Sequence, residues 1–157
     1  MEIIPNQPSN AIDTSSVFYR SPNDRYPTIV KGDGNYLWDS HGNKFLDFTS
    51  GFSATTSIGQ GRKEIADAIA AQARKLAFVH NSRVTNEPQE ALAEKLVALA
   101  PDGVDRVMFT SGGSEANELS FRIARQFHLS RGEKARWKIL SLKQSYHGAT
   151  MAALSAT

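Results

Sequence analysis

The segment from Arg106 to Phe127 constrains the chain most. Arg106-Val107-Met108-Phe109-Thr110 is a short apolar run, Ser111-Gly112-Gly113-Ser114 interrupts it, and Ala116, Leu119, Ile123 and Phe127 then recur at helical spacing. That order reads as strand, glycine turn, helix. A second apolar run, Trp137 to Leu142, leads through Lys143, Gln144 and Ser145 to Tyr146-His147-Gly148 and a small-residue helical stretch. Strands alternating with helices predict an α/β fold built on a doubly wound, mainly parallel sheet.

The part before this unit has a different texture. Residues 1 to about 27 hold four of the six prolines with several Asn and Ser, which predicts an irregular arm. Tyr36 to Trp38 and Phe45 to Phe48 are aromatic-rich runs separated by Asp39, Ser40, His41, Gly42 and Asn43, the composition of a β-hairpin. From Arg62, the residues Ile65, Ile69, Ala73 and Leu76 give one apolar helix face. A second helix starts near Pro88, carries Leu92, Leu96 and Leu99, and stops at Pro101. No internal repeat or low-complexity segment is present.

Composition removes several function classes. Hydrophobic residues at 40% and charged residues at 22% suit a folded globular chain. A formal charge of +2, with basic residues spread from Arg20 to Lys143, argues against nucleic acid as the main partner. No stretch approaches the roughly 20 apolar residues of a membrane helix, and the first twenty residues lack the pattern of a secretory signal. The lack of cysteine excludes disulfides and thiolate metal sites and fits a cytoplasmic protein. His41, His80, His128 and His147 are not at metal-ligand spacing, so no metal centre is expected.

Ligands of open α/β sheets collect where strands end and helices begin. After Thr110 two glycines let the backbone approach a ligand, and the helix starting near Ser114 offers free N–H groups and a positive dipole end, so the loop suits an anion, most naturally a phosphate. The same four residues equally fit a tight turn in which Ser114 merely caps the helix. Tyr146 and His147, at the end of the next run, supply an aromatic ring and an imidazole beside that loop, although YHG alone also fits core packing and a turn. No G-x-x-x-x-G-K-[ST] occurs, Gly32/Gly34 and Gly59/Gly61 lack the third glycine of the dinucleotide fingerprint, and G-x-S-x-G is absent.

Three motifs stand together: Asp47-Phe48-Thr49-Ser50-Gly51, the run Phe109 to Glu118 (FTSGGSEANE), and Tyr146-His147-Gly148. In order and approximate spacing they resemble the class III aminotransferases of pyridoxal 5'-phosphate (PLP) fold type I, from about Tyr26 to Thr157. The resemblance implies that residues 1–60 are the arm and hairpin segment of the small domain and residues 61–157 the beginning of the large PLP-binding domain. It implies PLP as cofactor. Gly113 and Ser114 then hold its phosphate, Ser111 and Gly112 shape that loop, Tyr146 lies against the pyridine ring, and His147 with Gly148 supports Tyr146. Phe52 and Ser53 become candidates for substrate contact, with ordinary loop packing nearly as good an account of them. A homodimer, an amino donor that is an amine or ω-amino acid, and a 2-oxo acid acceptor are implied in the same way.

The chemistry also needs a lysine that binds the cofactor covalently and an acid that keeps the ring nitrogen protonated. In the family both lie beyond the point matching Thr157. Lys31, Lys44, Lys63, Lys75, Lys95, Lys134, Lys138 and Lys143 all read as solvated surface residues, so no catalytic residue is assigned in this chain and the 157 residues alone are expected to be inactive. The competing expectation is a non-catalytic module that binds a phosphorylated ligand or only dimerises.

Overall fold

A computed structural model describes residues 15–21 and 24–157. Most of the arm expected over residues 1 to about 27 therefore lies outside the described residues. The chain divides into two units, one ending at Val79 and the other running from His80 to Thr157.

The first unit is built on a three-stranded antiparallel sheet of β1 (Ile29–Asp33), β2 (Tyr36–Asp39) and β3 (Lys44–Leu46), in that spatial order. The hairpin expected between Tyr36 and Phe48 is β2–β3, with Leu37 opposite Phe45 and Trp38 opposite Lys44. Its turn is organised by Asp39. The half of the carboxylate that is Oδ1 accepts from the N–H groups of His41 (2.9 Å) and Asn43 (2.8 Å), while Oδ2 accepts from the Asn43 side-chain amide at 2.9 Å. Asp39 is the buried polar residue of this unit, and full pairing of its oxygens is what makes burial tolerable. On one sheet face Trp38 has the Lys31 and Lys44 ammonium groups 4.6 and 5.3 Å from its ring. Strand β1 joins β2 through Gly34-Asn35, where Gly34 takes the positive φ that a two-residue turn requires.

Helix α1 (Lys63–Lys75) follows in the same unit, with Ile65 and Ile69 on its exposed apolar side. In the second unit α2 (Glu87–Leu99) starts at Asn86, whose side chain accepts from the Gln89 N–H at 3.1 Å, with Pro88 in the first turn where a missing N–H costs nothing. Next come α3 (Gly113–Ser130) and the short α4 (Met151–Ala156), which pack together. Gly132, at φ +78°, ends α3 in the left-handed conformation favoured at helix C-termini.

Two elements differ from expectation. Arg106–Thr110 and Trp137–Leu142 form no ladder, and the described residues contain no parallel pairing. A strand exists only as a member of a pair, and neither run meets a partner segment here. Their side chains stay open, Leu140 being 94% exposed. Ala153, in α4, is the buried apolar residue among those described. No helix among them is long and apolar enough to cross a membrane.

Candidate functional site

Gly112 is the N-cap of α3, with extended backbone and no side-chain cap. Ser114 therefore does not cap the helix; it sits inside the first turn. The first intrahelical bond runs from the Ala116 N–H to the Gly112 carbonyl at 3.0 Å. The N–H groups of Gly113, Ser114 and Glu115 precede it and take no partner among the described residues, so three donors point out of the positive end of an 18-residue helix. A Cβ at Gly113 would meet nothing within 4 Å, whereas at Gly112 it would stand 3.0 Å from the Glu115 carboxylate. Thr110 closes the entry to the turn by donating its hydroxyl to the Gly112 carbonyl at 3.1 Å.

The Tyr146 loop is fastened to this turn. Ser114 Oγ accepts from the Ala149 N–H at 3.1 Å, and the Thr150 hydroxyl donates to the Ser114 carbonyl at 3.4 Å. Gly148 is buried with φ +136°. A Cβ there would lie 2.7 Å from Ser114 Oγ, 2.8 Å from Ser114 Cα and 2.9 Å from Ala153 Cβ, so only glycine allows this approach. The structure thus brings Ser111, Gly112, Gly113 and Ser114 together with the loop of Tyr146 and His147. The Tyr146 ring is 76% exposed and free to cover another group. His147 donates its N–H to Thr157 Oγ1 at 3.0 Å, while its Nε2 is buried with no partner among the described residues.

Asn117 and Glu118, which carried no assignment in the sequence, are part of the same assembly. The Asn117 amide donates to the His147 carbonyl, and Glu118 Oε1 accepts from the Ala152 N–H at 2.8 Å. The Glu118 carboxyl is held below its ordinary value first by that Ala152 N–H, then by the Thr150 hydroxyl and, against a smaller desolvation effect, by the Ala153 N–H. The available signal was spacing: positions 114, 117 and 118 form one polar stripe on α3.

Phe52 and Ser53 belong to the first unit. Ser50 to Ala54 all have positive φ, between 51° and 73°, four of them non-glycine residues. Asp47 holds this left-handed run: Oδ2 accepts from the Gly51 N–H at 2.7 Å, Oδ1 from the Thr49 N–H and hydroxyl at 3.1 and 3.0 Å, and Thr49 Oγ1 accepts from the Phe52 N–H at 3.0 Å. Desolvation, the largest influence on the Asp47 carboxyl, raises it, but the hydrogen bonds from Gly51, Thr49 and Gln60 together bring it below the ordinary value. Phe52 is left 75% exposed at the tip.

The family model for aminotransferase class-III matches residues 19–157. The chain is 47% identical over 135 residues to the acetylornithine aminotransferase of Wolinella succinogenes, covering 84% of this chain and 33% of that protein. Among solved structures, an (S)-enantioselective ω-transaminase from Thermomicrobium roseum matches with a TM-score of 0.81 at 40% identity, over 84% of this chain and 30% of its own. The ω-transaminase from Pseudomonas jessenii in complex with PMP gives 0.81 at 31% identity, over 84% of this chain and 29% of that one. The chain spans about a third of the length of the curated relatives it matches.

Proposed function

The chain belongs to the class III aminotransferases, enzymes that use pyridoxal 5'-phosphate, and we propose that the whole protein transfers an amino group from an amine or ω-amino acid to a 2-oxo acid. PLP supplies an electrophilic carbonyl carbon for the amino group and an electron-accepting ring. The chain's own residues supply the grip. The N–H groups of Gly113, Ser114 and Glu115 and the Ser114 hydroxyl bind the phosphate, each charge-assisted bond contributing about 1.5–3 kcal/mol and the helix end up to about 2 kcal/mol. Gly113 fits this role because the space over it is open and a Cβ would fill it.

Tyr146 covers one face of the pyridine ring and keeps water from it. Ser111 and Gly112 shape the turn, and His147 supports Tyr146. Phe52 and Ser53, held in their loop by Asp47, contact substrate. The covalent lysine and the acid at the ring nitrogen belong to the part of the protein beyond these 157 residues, and the active protein is a homodimer.

The observation that carries this reading is the joining of an open helix start to the Tyr146 loop through Ser114. The direct test is reduction of the full-length protein with borohydride in the presence of PLP, then peptide mapping and donor screening. A pyridoxyl group on a lysine outside residues 1–157, with amine-dependent conversion of pyruvate or 2-oxoglutarate, is the expected result. A protein that binds PLP but carries no pyridoxyl-lysine and converts no donor contradicts it.

A further inference from the structure

Resting on the reading that Gly113 and Ser114 hold the phosphate, we infer that Asn117 and Glu118 are positioning residues: with Ser114 they clamp the Tyr146 loop onto α3, so that occupancy of the phosphate turn and the placement of the Tyr146 ring are coupled. Residues 117 and 118 each stand about one turn beyond Ser114 on α3, and each of the three grips a different point of the following segment. Asn117 holds the His147 carbonyl, Ser114 holds Ala149 and Thr150, and Glu118 holds Ala152. All three are half-buried.

Helix α4 has no side-chain cap of its own, since Thr150 makes none. Six residues are far too few to hold a helix unaided. Glu118 provides the missing cap from α3, an acid at a helix N-terminus accepting a first-turn N–H. The far end is closed as well: Thr157 Oγ1 accepts from the His147 N–H and donates to the Ala153 carbonyl at 3.1 Å. With Gly148 packed against Ser114 Cα, the loop has no slack between these anchors.

The coupling passes through one hydroxyl. Ser114 Oγ already accepts from the Ala149 N–H, which leaves its single hydrogen to donate outward. An anion that takes this hydrogen makes the oxygen a better acceptor, and the bond to Ala149 strengthens with it. Filling the phosphate turn therefore tightens the loop that carries Tyr146, provided Glu118 keeps α4 in place.

Hydrogen exchange of the full-length protein freed of PLP, with and without saturating inorganic phosphate, tests this on peptides covering 113–118 and 145–153. Phosphate is expected to slow exchange in both segments of the unaltered protein. In Glu118→Ala the slowing persists over 113–118 and is lost over 145–153, where basal exchange also rises roughly tenfold or more with the loss of a charge-assisted bond. Glu118→Gln, which keeps an acceptor oxygen, recovers most of it. An undiminished phosphate effect on 145–153 in Glu118→Ala overturns the clamp. So does loss of the effect over 113–118 in that variant, because Glu118 would then act within the phosphate turn itself. If phosphate leaves 113–118 unprotected even in the unaltered protein, the clamp and the phosphate reading fall together.

Discussion

Replacing Gly148 by alanine perturbs the joint between the two loops by a single methyl group. At φ +136° an L-residue is strained by about 1–3 kcal/mol. The new Cβ would also stand within 2.9 Å of three atoms, one of them the backbone Cα of Ser114, which cannot swing aside. Overpacking of that kind costs about 1–3 kcal/mol. Together these predict a loss of about 2–6 kcal/mol in the local stability of residues 146–153. Global unfolding of a large protein is a poor gauge of such an effect, whereas hydrogen exchange reads the local opening directly. Exchange in this segment is expected to accelerate at least roughly 30-fold, the equivalent of 2 kcal/mol. Gly113→Ala is the control: with nothing near the new Cβ, stability is retained or raised by up to about 1 kcal/mol, while PLP affinity falls. Unchanged exchange in Gly148→Ala would refute the close approach of Gly148 to Ser114.

Three further outcomes are expected elsewhere. Removing the α2 cap by Asn86→Ala should destabilise that helix by about 1 kcal/mol, seen as faster exchange of the Gln89 amide. The Asp39 carboxyl is held below its ordinary value of 3.8, first by the Asn43 side-chain amide, against a smaller desolvation effect, then by the N–H groups of Asn43 and His41. A depressed folded value contributes stability that is present above pH 3.8 and lost as pH falls through the lowered value, so exchange of the residue 40–43 amides should accelerate in acid below that point; Asp39→Asn should remove this acid sensitivity. Asp47→Ala should release the left-handed run at Ser50 to Ala54, raising KM for the amino donor on the order of tenfold with PLP affinity unchanged.

Local signals carried much of the fold. Ile65, Ile69, Ala73 and Leu76 located α1 within a residue of its start, Pro88 marked the first turn of α2, and the turn formers between Trp38 and Phe45 placed the hairpin. Strand β1 escaped because Lys31, Gly32 and Asp33 dilute its short apolar start, and only pairing with β2 makes it a strand. The converse holds for Arg106–Thr110 and Trp137–Leu142, which have strand composition but find no partner here. In the candidate site, Gly112, Gly113 and Ser114 stood out as a local strand–turn–helix pattern, whereas Tyr146, far along the chain, entered by its place after the next apolar run and by the family resemblance. Asn117 and Glu118 share a polar stripe with Ser114, but their partners lie 30 and 34 residues further along, so their role is read only from the fold.

If the start of α3 holds the cofactor by its phosphate, the affinities of the full-length protein for PLP and for pyridoxal, which lacks that group, respond differently to Ser114→Ala. The preference for PLP over pyridoxal should fall at least roughly tenfold, with pyridoxal weakened only to the smaller extent that loss of the Ala149 bond loosens the Tyr146 loop. Equal weakening of both ligands, or an unaltered preference, would place the phosphate elsewhere and contradict the account.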